Sequence, residues 1–185
     1  MKTSTFKLTM SGMLAALSVL LVITVRFPLL PALQDFKYDP SDIPTIFGTL
    51  LFGPWYGLLM VAVTCIIEGV TVNTSGPIGM LMHFLASGSL VLAAGLVHRR
   101  KPGMLRLVIA LVAGILTMTV TMVGWNLLIS PYYYHTTLDV ILGMLPMIVA
   151  FNLLKAAINV VLSGVLFKAL SPMVSRRAGL IRTKS

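Results

Sequence analysis

The sequence predicts an all-α integral membrane protein with six transmembrane helices, of which the second and third are short. Of the 185 residues, 57% are hydrophobic and only 10% are charged, whereas about 25% of the residues in a soluble domain are charged. The mean hydropathy is +0.97. The basic residues lie mostly in short segments between long apolar runs, which is typical of the cytoplasmic loops of membrane proteins.

The composition also excludes several other classes. Cys65 is the single cysteine, so a disulfide scaffold is excluded, and the apolar content excludes a disordered chain. The net charge of +9 would suit a nucleic-acid partner, but the positions of the basic residues point to membrane lipid instead. We therefore predict one membrane-embedded domain over residues 1–185 and no nucleic-acid partner.

The first apolar run covers residues 8–25 and predicts the first membrane helix. It spans about 27 Å at 1.5 Å per residue, which suffices for one crossing. A signal peptide would have a shorter apolar region that ends at a small-residue cleavage site. Here Arg26-Phe27-Pro28 follows, so we predict a retained helix.

The apolar run 43–70 is interrupted by Gly53-Pro54, and a proline in its middle argues against one continuous helix. We predict two short helices, over 41–52 and 54–70, the first capped by Ser41 or Asp42. The later apolar runs predict three more helices, over residues 78–97, 105–129 and 142–170.

The distribution of charge sets the topology. With six crossings and cytoplasmic termini, the cytoplasmic segments contain basic residues and no acidic residue, and the acidic loop residues all lie outside. A single crossing by residues 43–70 would break this rule, so that segment must return to the side it left. The predicted cytoplasmic residues are Lys2, Lys7, Arg99, Arg100, Lys101, Arg106, Lys168, Arg176, Arg177, Arg182 and Lys184, and the predicted outer residues are Arg26, Asp35, Lys37, Asp39, Asp42 and Asp139.

Several polar residues lie at membrane depth, where burial of a polar or charged side chain costs free energy and therefore indicates a structural or functional role. Asn152, Lys155 and Asn159 are spaced by three and four, so they share one helical face. Asn126 can face the same space, and Glu68 lies near the end of the third helix. One interpretation is that the asparagines form interhelical hydrogen bonds that stabilise helix packing and that Lys155 pairs with Glu68. The other is a ligand pocket, with Asn159 contributing less because it lies one turn deeper.

Other chemistry is sparse in the sequence. No phosphate-binding loop of the form Gly-x-x-x-x-Gly-Lys-Ser/Thr occurs, so ATP hydrolysis by that route is not expected. His83, His98 and His135 are too scattered to predict a metal site, and His83 is expected to be a hydrogen-bonded packing residue. We predict neither an enzyme nor a bound cofactor.

The predicted first helix carries small residues at helical spacing. Two small-xxx-small pairs are present, Ser11 with Ala15 and Gly12 with Ala16. Such pairs allow a neighbouring helix to approach closely, either within the bundle or from a partner.

Three motifs together resemble riboflavin-specific S components of energy-coupling factor (ECF) transporters. They are residues 36–44 (FKYDPSDIP), residues 76–79 (GPIG) leading to Phe84 and Gly88, and residues 150–155 (AFNLLK) with Trp125-Asn126 on the preceding helix. The resemblance covers nearly the whole chain.

The resemblance implies a six-helix subunit that captures riboflavin from outside and works with a transmembrane scaffold and two cytoplasmic ATPases. It implies that Asn126, Asn152 and Lys155 hold the polar edge of the isoalloxazine ring. The loop with Lys37, Tyr38 and Asp39 would close over the ligand, Glu68 would belong to the same site, and the small residues Ser11, Gly12, Ala15 and Ala16 would face the scaffold.

Two alternatives remain open from the sequence. One is an S component for another vitamin, such as thiamine, a folate or pantothenate. The other is a self-sufficient channel or proton-coupled carrier with Glu68 and Lys155 as a charge relay. Carriers commonly contain internal repeats, and the sequence shows none.

Overall fold

The computed structural model describes residues 3–29, 37–72, 76–99 and 103–177. Within these ranges the chain forms seven helices and one antiparallel pair of two-residue strands. The elements are α1 Thr3–Thr24, β1 Phe27–Pro28, β2 Lys37–Tyr38, α2 Asp42–Phe52, α3 Pro54–Thr71, α4 Gly76–His98, α5 Met104–Leu128, α6 Ser130–Tyr133 and α7 Leu138–Arg177. Some residues used in the sequence argument lie outside the described ranges, namely Lys2, Asp35, Phe36, Arg100, Lys101, Arg182 and Lys184.

Six of the helices match the six predicted membrane helices. Five are long and apolar enough to cross a membrane, and α2 is a shorter apolar helix of 11 residues. The 18-residue α3 is the next shortest of the six. The predicted fold class, with a short second and third helix, is confirmed.

The last helix is longer than the sequence predicted. It was expected over residues 142–170, whereas α7 has 40 residues and continues through Pro146 and Pro172. Hydropathy detects only the apolar part of a helix, while backbone hydrogen bonding continues into its polar ends. At 1.5 Å per residue α7 is about 60 Å long, roughly twice the thickness of a hydrocarbon core.

The turn between α2 and α3 sends the chain back along the bundle. Gly53 has a φ of 104°, a conformation that favours glycine, and Pro54 opens α3. One guanidinium nitrogen of Arg26, just after α1, donates to the carbonyl oxygen of Val72 at 3.3 Å. The ends of α1 and α3 are therefore at the same end of the bundle, and the predicted return of residues 43–70 is confirmed.

The predicted N-cap position of α2 is confirmed, but the capping hydrogen bond is not formed. Ser41 occupies the N-cap position, but it makes no side-chain capping hydrogen bond, and its backbone is in the helical region. The Ser41 hydroxyl instead donates to the Asp39 carboxylate. Asp42 is the first residue of the helix, and its carboxylate faces other elements, as described below.

Helix α4 forms part of the buried core. It packs between α3 and α5, while α7 packs against α2 and α5, and α1 packs against α2 and α3. Leu90 and Val91 of α4 are fully buried, and Met118 of α5 and Ala156 of α7 join the same core. Val120 of α5 is 70% exposed, as suits a side chain that faces lipid.

The strands mark one end of the bundle, which we call the strand end. Phe27 pairs with Tyr38 and Pro28 with Lys37, and the rings of Phe27 and Tyr38 lie 5.3 Å apart. The residues that follow β2 therefore lie at the strand end, next to α2 and α7.

Candidate functional site

The segment that follows β2 is joined to α7 by a buried polar cluster, which we call the loop cluster (Tyr38, Asp39, Lys155 and Asn159). Lys155 Nζ donates to Asp39 Oδ2 at 2.7 Å, and Tyr38 Oη donates to Asn159 Oδ1 at 2.8 Å. Asn159 Nδ2 lies 3.3 Å from the carbonyl oxygen of Asp39. All four side chains are buried, so this segment is packed into the bundle at the strand end.

The electrostatics of the loop cluster favour a charged Asp39. Burial by itself would raise the pKa of its carboxyl, but the Lys155 ammonium and hydrogen bonds from Lys155 and Ser41 hold that pKa well below its usual range. Burial raises the pKa of the Tyr38 phenol, so its hydroxyl remains a donor to Asn159 at neutral pH. The cluster combines charge-assisted and neutral hydrogen bonds.

A second buried group, the ion cluster (Arg26, Asp42, Glu68 and His83), connects α2, α3 and α4. Arg26 Nη1 lies 3.3 Å from Glu68 Oε1, and His83 Nδ1 contacts Glu68 Oε2. His83 Nε2 lies 3.9 Å from Asp42 Oδ1. His83 was expected to be a hydrogen-bonded packing residue, and it is hydrogen-bonded, although its partners are carboxylates.

The two clusters touch through one bond. Asn159 Nδ2 is 3.3 Å from Asp42 Oδ2, so Asn159 belongs to the loop cluster and also reaches the ion cluster. The suggested pairing of Lys155 with Glu68 is wrong, because each has nearer partners of its own, Asp39 for Lys155 and Arg26 with His83 for Glu68. Among the described residues, Lys155 and Glu68 therefore make no direct contact of the kind that the carrier interpretation supposed.

The structure does not link the other predicted pocket residues to the loop cluster. Asn126 is buried on α5, where Nδ2 donates to the Met122 carbonyl at 2.8 Å and Oδ1 accepts from Ser130. Asn152 is buried on α7, and its Nδ2 donates to the Ile148 carbonyl at 2.8 Å. In the part of the chain that the structure describes, no hydrogen bond joins either amide to Lys155. Their contribution to a ligand site stays a prediction.

Lys37 lies in β2 opposite Pro28 and is half-buried. It stands beside Tyr38 but outside the hydrogen bonds of the loop cluster. Of the predicted loop residues, Tyr38 and Asp39 therefore reach α7 directly.

The small residues of α1 lie on two different faces of the helix. Ser11 and Ala15 are buried toward the bundle, whereas Gly12 and Ala16 are exposed. A groove of about 340 Å³ runs beside them between α1 and α3. Its wall consists of Leu8, Ser11, Gly12, Ala15, Ala16, Val19, Leu59, Met60, Val63 and Ile67.

The fold and the two clusters define a multi-pass helical membrane protein with ionisable groups buried near one end of the bundle. The chain belongs to the family of ECF transporter substrate-specific components, whose family model matches residues 6–167. This confirms the family resemblance that was drawn from the sequence motifs.

Several proteins are similar to this chain along much of its length. Riboflavin transporter FmnP of Bacillus subtilis (strain 168) is 26% identical, over 92% of this chain and 95% of the relative. Riboflavin transporter RibU of Streptococcus thermophilus (strain ATCC BAA-250 / LMG 18311) is 26% identical, over 93% and 86%. RibU of Lactococcus lactis subsp. cremoris (strain NZ9000) is 29% identical, over 68% and 64%.

The fold is also similar to a solved structure, that of the S component of a bacterial ECF transporter. The TM-score is 0.78 at 23% identity, and the match covers 91% of this chain and 96% of that one. At this identity the likeness establishes the fold alone.

Proposed function

We propose that this chain binds riboflavin at the strand end of the bundle and serves as the substrate-binding subunit of an ECF vitamin transporter in the cell membrane. The observation that carries the proposal is the similarity to a riboflavin transporter over 92% of the chain. In this proposal the strand end faces the outside and both termini are cytoplasmic, in accord with the placement of the basic residues.

The polar face of α7 suits the flavin edge, which alternates carbonyl oxygens with ring nitrogens. Lys155 supplies a charged donor, and the Asn152 and Asn126 amides supply both donors and acceptors. Lys155 is held by Asp39 at 2.7 Å, so flavin binding at Lys155 requires an exchange of partners in which Asp39 and its loop shift. The segment with Lys37 and Tyr38 then closes against the ligand.

Glu68 already has partners within the ion cluster. Its carboxylate already accepts from Arg26 and His83. A ligand hydroxyl that approached Glu68 would have to compete with a guanidinium and an imidazole, so we expect Glu68 to contact the ligand less directly than Lys155 does.

The test of the pocket is a riboflavin titration of the purified chain, followed by quenching of flavin fluorescence. Lys155→Ala and, separately, Asn152→Ala should each weaken binding about tenfold to a hundredfold, because a buried ligand atom left unpaired costs about 1–3 kcal/mol. Leu154→Ala is the matched control, since this α7 side chain is 44% exposed. Wild-type affinity in both polar variants would mean that this face only packs helices.

The transmembrane scaffold and the two ATPases of the proposed transporter lie beyond this chain, which itself catalyses no step in this proposal and uses no cofactor. The chain has no phosphate-binding loop of the P-loop type, so uptake requires those partners. The groove beside Gly12 and Ala16 is the surface we assign to the scaffold, because a Cβ on Gly12 would meet no atom within 4 Å and small residues allow close helix approach.

Replacing Gly12 and Ala16 by tryptophan should fill this groove and reduce co-purification with the scaffold and ATPases, while riboflavin binding is retained. Met13→Trp serves as the control, because Met13 is 63% exposed on the same helix and outside the groove. Unchanged complex yield in the Gly12/Ala16 variant would contradict the assignment.

A further inference from the structure

Three side chains with metal-binding atoms meet between α3 and α4. One ligand atom from each of Cys65, Glu68 and His83 lies within 4.8 Å of the other two. Cys65 and Glu68 are three residues apart on α3, which places them on one helical face, and α4 packs against that face. Cys65 and Glu68 are each 2% exposed.

The chemistry of these donors selects a particular kind of cation. A thiolate, an imidazole nitrogen and a carboxylate oxygen are the ligand types of Zn²⁺ sites. Hard cations such as Ca²⁺ and Mg²⁺ prefer oxygen ligands and a larger coordination number. The mixed set therefore favours a borderline-soft divalent cation.

A fourth polar group lies beside two of the three donors. Ser87, one turn after His83 on α4, is 1% exposed, and its hydroxyl has no hydrogen-bond partner among the described residues. Ser87 lines a small void together with Cys65 and His83. The void is too narrow for a water molecule, so water does not satisfy this hydroxyl, whereas a bare cation held by short bonds needs less room.

The outer contacts of His83 fit a metal ligand. Its Nδ1 faces Glu68, and its Nε2 faces Asp42 Oδ1 at 3.9 Å. Asp42 is oriented in turn by Asn159 at 3.3 Å. At 3.9 Å the contact between His83 and Asp42 is an ion-pair contact and not a hydrogen bond, so Asp42 must move closer to give the carboxylate–histidine hydrogen bond typical of metal sites.

The balance of charge is compatible with a divalent ion. Two carboxylates, Asp42 and Glu68, face one guanidinium, Arg26, so one further positive charge is needed for neutrality. A proton on His83 supplies that charge when no metal is bound. A divalent cation that displaces this proton and the thiol proton of Cys65 keeps the buried charge at zero.

We propose that Cys65, Glu68 and His83 bind one Zn²⁺ and so cross-link α3 to α4 beneath the loop cluster. The thiol proton of Cys65 and the proton on His83 leave when the ion binds, and no redox step is involved. Asp42 faces the Nε2 of His83 and positions its ring. Arg26 is partly exposed and contacts Glu68, so it lies between water and the site.

Cadmium is a direct probe, because Cys65 is the single cysteine of the chain and any cadmium–thiolate absorption must come from it. The full chain, purified with a tag free of histidine and treated with a chelator, should take up one Cd²⁺ and gain the ultraviolet band. Zn²⁺ should abolish the band by competition, and each metal should raise the melting temperature.

The variants separate a built site from a lone thiol. Cys65→Ser should lose the band and the rise in melting temperature, and His83→Ala and Glu68→Gln should each weaken Cd²⁺ binding at least about tenfold. Asp42→Asn should weaken it by about 10–100-fold through His83. His98→Ala is the control, because that histidine packs on Phe167 away from the site, and it should bind as the wild type does.

Two results would overturn the proposal. The first is the absence of the band and of any metal-dependent rise in melting temperature in the wild-type chain, which would leave a proton on His83 as the balancing charge. The second is equal Cd²⁺ affinity in wild type, His83→Ala and Glu68→Gln, which would mean that the thiol binds cadmium alone. If one of the His83 and Glu68 variants fails to fold, the other variant and Asp42→Asn still separate a built site from a lone thiol.

Discussion

Breaking the ion pair between Asp39 and Lys155 should destabilise the protein in a way that a double-mutant cycle can measure. The two charges are 2.7 Å apart, and their side chains are 4% and 9% exposed. Removing one partner of a buried pair leaves a charge without compensation and costs about 3–5 kcal/mol. Lys155→Met and Asp39→Asn should therefore each be strongly destabilising.

The double variant Asp39→Asn/Lys155→Met removes both charges together. Its loss of stability should be smaller than the sum of the two single losses by about 1–3 kcal/mol, since residues in contact are coupled by energies of this size. The assay is reversible unfolding in mild detergent, followed by tryptophan fluorescence. Asp139→Asn with Lys155→Met is the control cycle, because Asp139 is exposed in the first turn of α7.

The control cycle should be additive within about 0.5 kcal/mol. Additivity in the Asp39 cycle as well would refute the reasoning, because it would mean that the segment after β2 is not held to α7 by this pair.

Three further predictions concern topology, packing and pH. In intact cells, an impermeant thiol reagent should label Tyr132→Cys but not Arg99→Cys, and the reverse pattern would contradict cytoplasmic termini. Gly95→Ala should destabilise the protein by about 1–3 kcal/mol, because the new Cβ would lie 2.9 Å from the backbone of the first residue of α3. Gly124→Ala is the control, because its Cβ would have no atom within 4 Å, and it should leave stability unchanged. Equal melting temperatures of the two variants would contradict this. The pKa of Asp39 is depressed in the folded state, so its contribution to stability is present above the unfolded pKa of about 3.8 and is lost as pH falls further. The wild type should therefore lose more stability below about pH 4 than Asp39→Asn does. Parallel curves of stability against pH for the two proteins would contradict this.

The helices could be predicted because hydropathy and charge placement are local properties of the sequence. Gly53-Pro54 ended one helix and began another as expected, and the return of the chain followed from the basic loops. The extension of α7 to Arg177 could not be predicted, because polar helix ends resemble loops in composition.

The partners of the buried charges were harder to predict than their presence. The spacing of Asn152, Lys155 and Asn159 correctly indicated one polar face of α7, but Asp39 lies 116 residues away from Lys155 in the chain. Periodicity carries no information about such a distant contact. Asn159 is fully buried and its side chain bonds to three groups, whereas its smaller contribution to ligand binding stays a prediction.

Asp42 and His83 were missed as members of a cluster because each had a simpler local explanation, a helix cap and a packing residue. A signal was available, since Asp42, Glu68 and His83 lie in three consecutive apolar helices. Ionisable groups at membrane depth are costly alone, so three of them without a local partner should be expected to meet.

The central claim, that this chain binds riboflavin, is tested most directly by purifying it from cells supplied with the vitamin. The protein should be yellow, and the flavin released on denaturation should be riboflavin at one molecule per chain. Thiamine, folate and pantothenate should not displace it. A colourless protein that binds none of the added riboflavin, or that binds one of the other vitamins instead, would contradict the account.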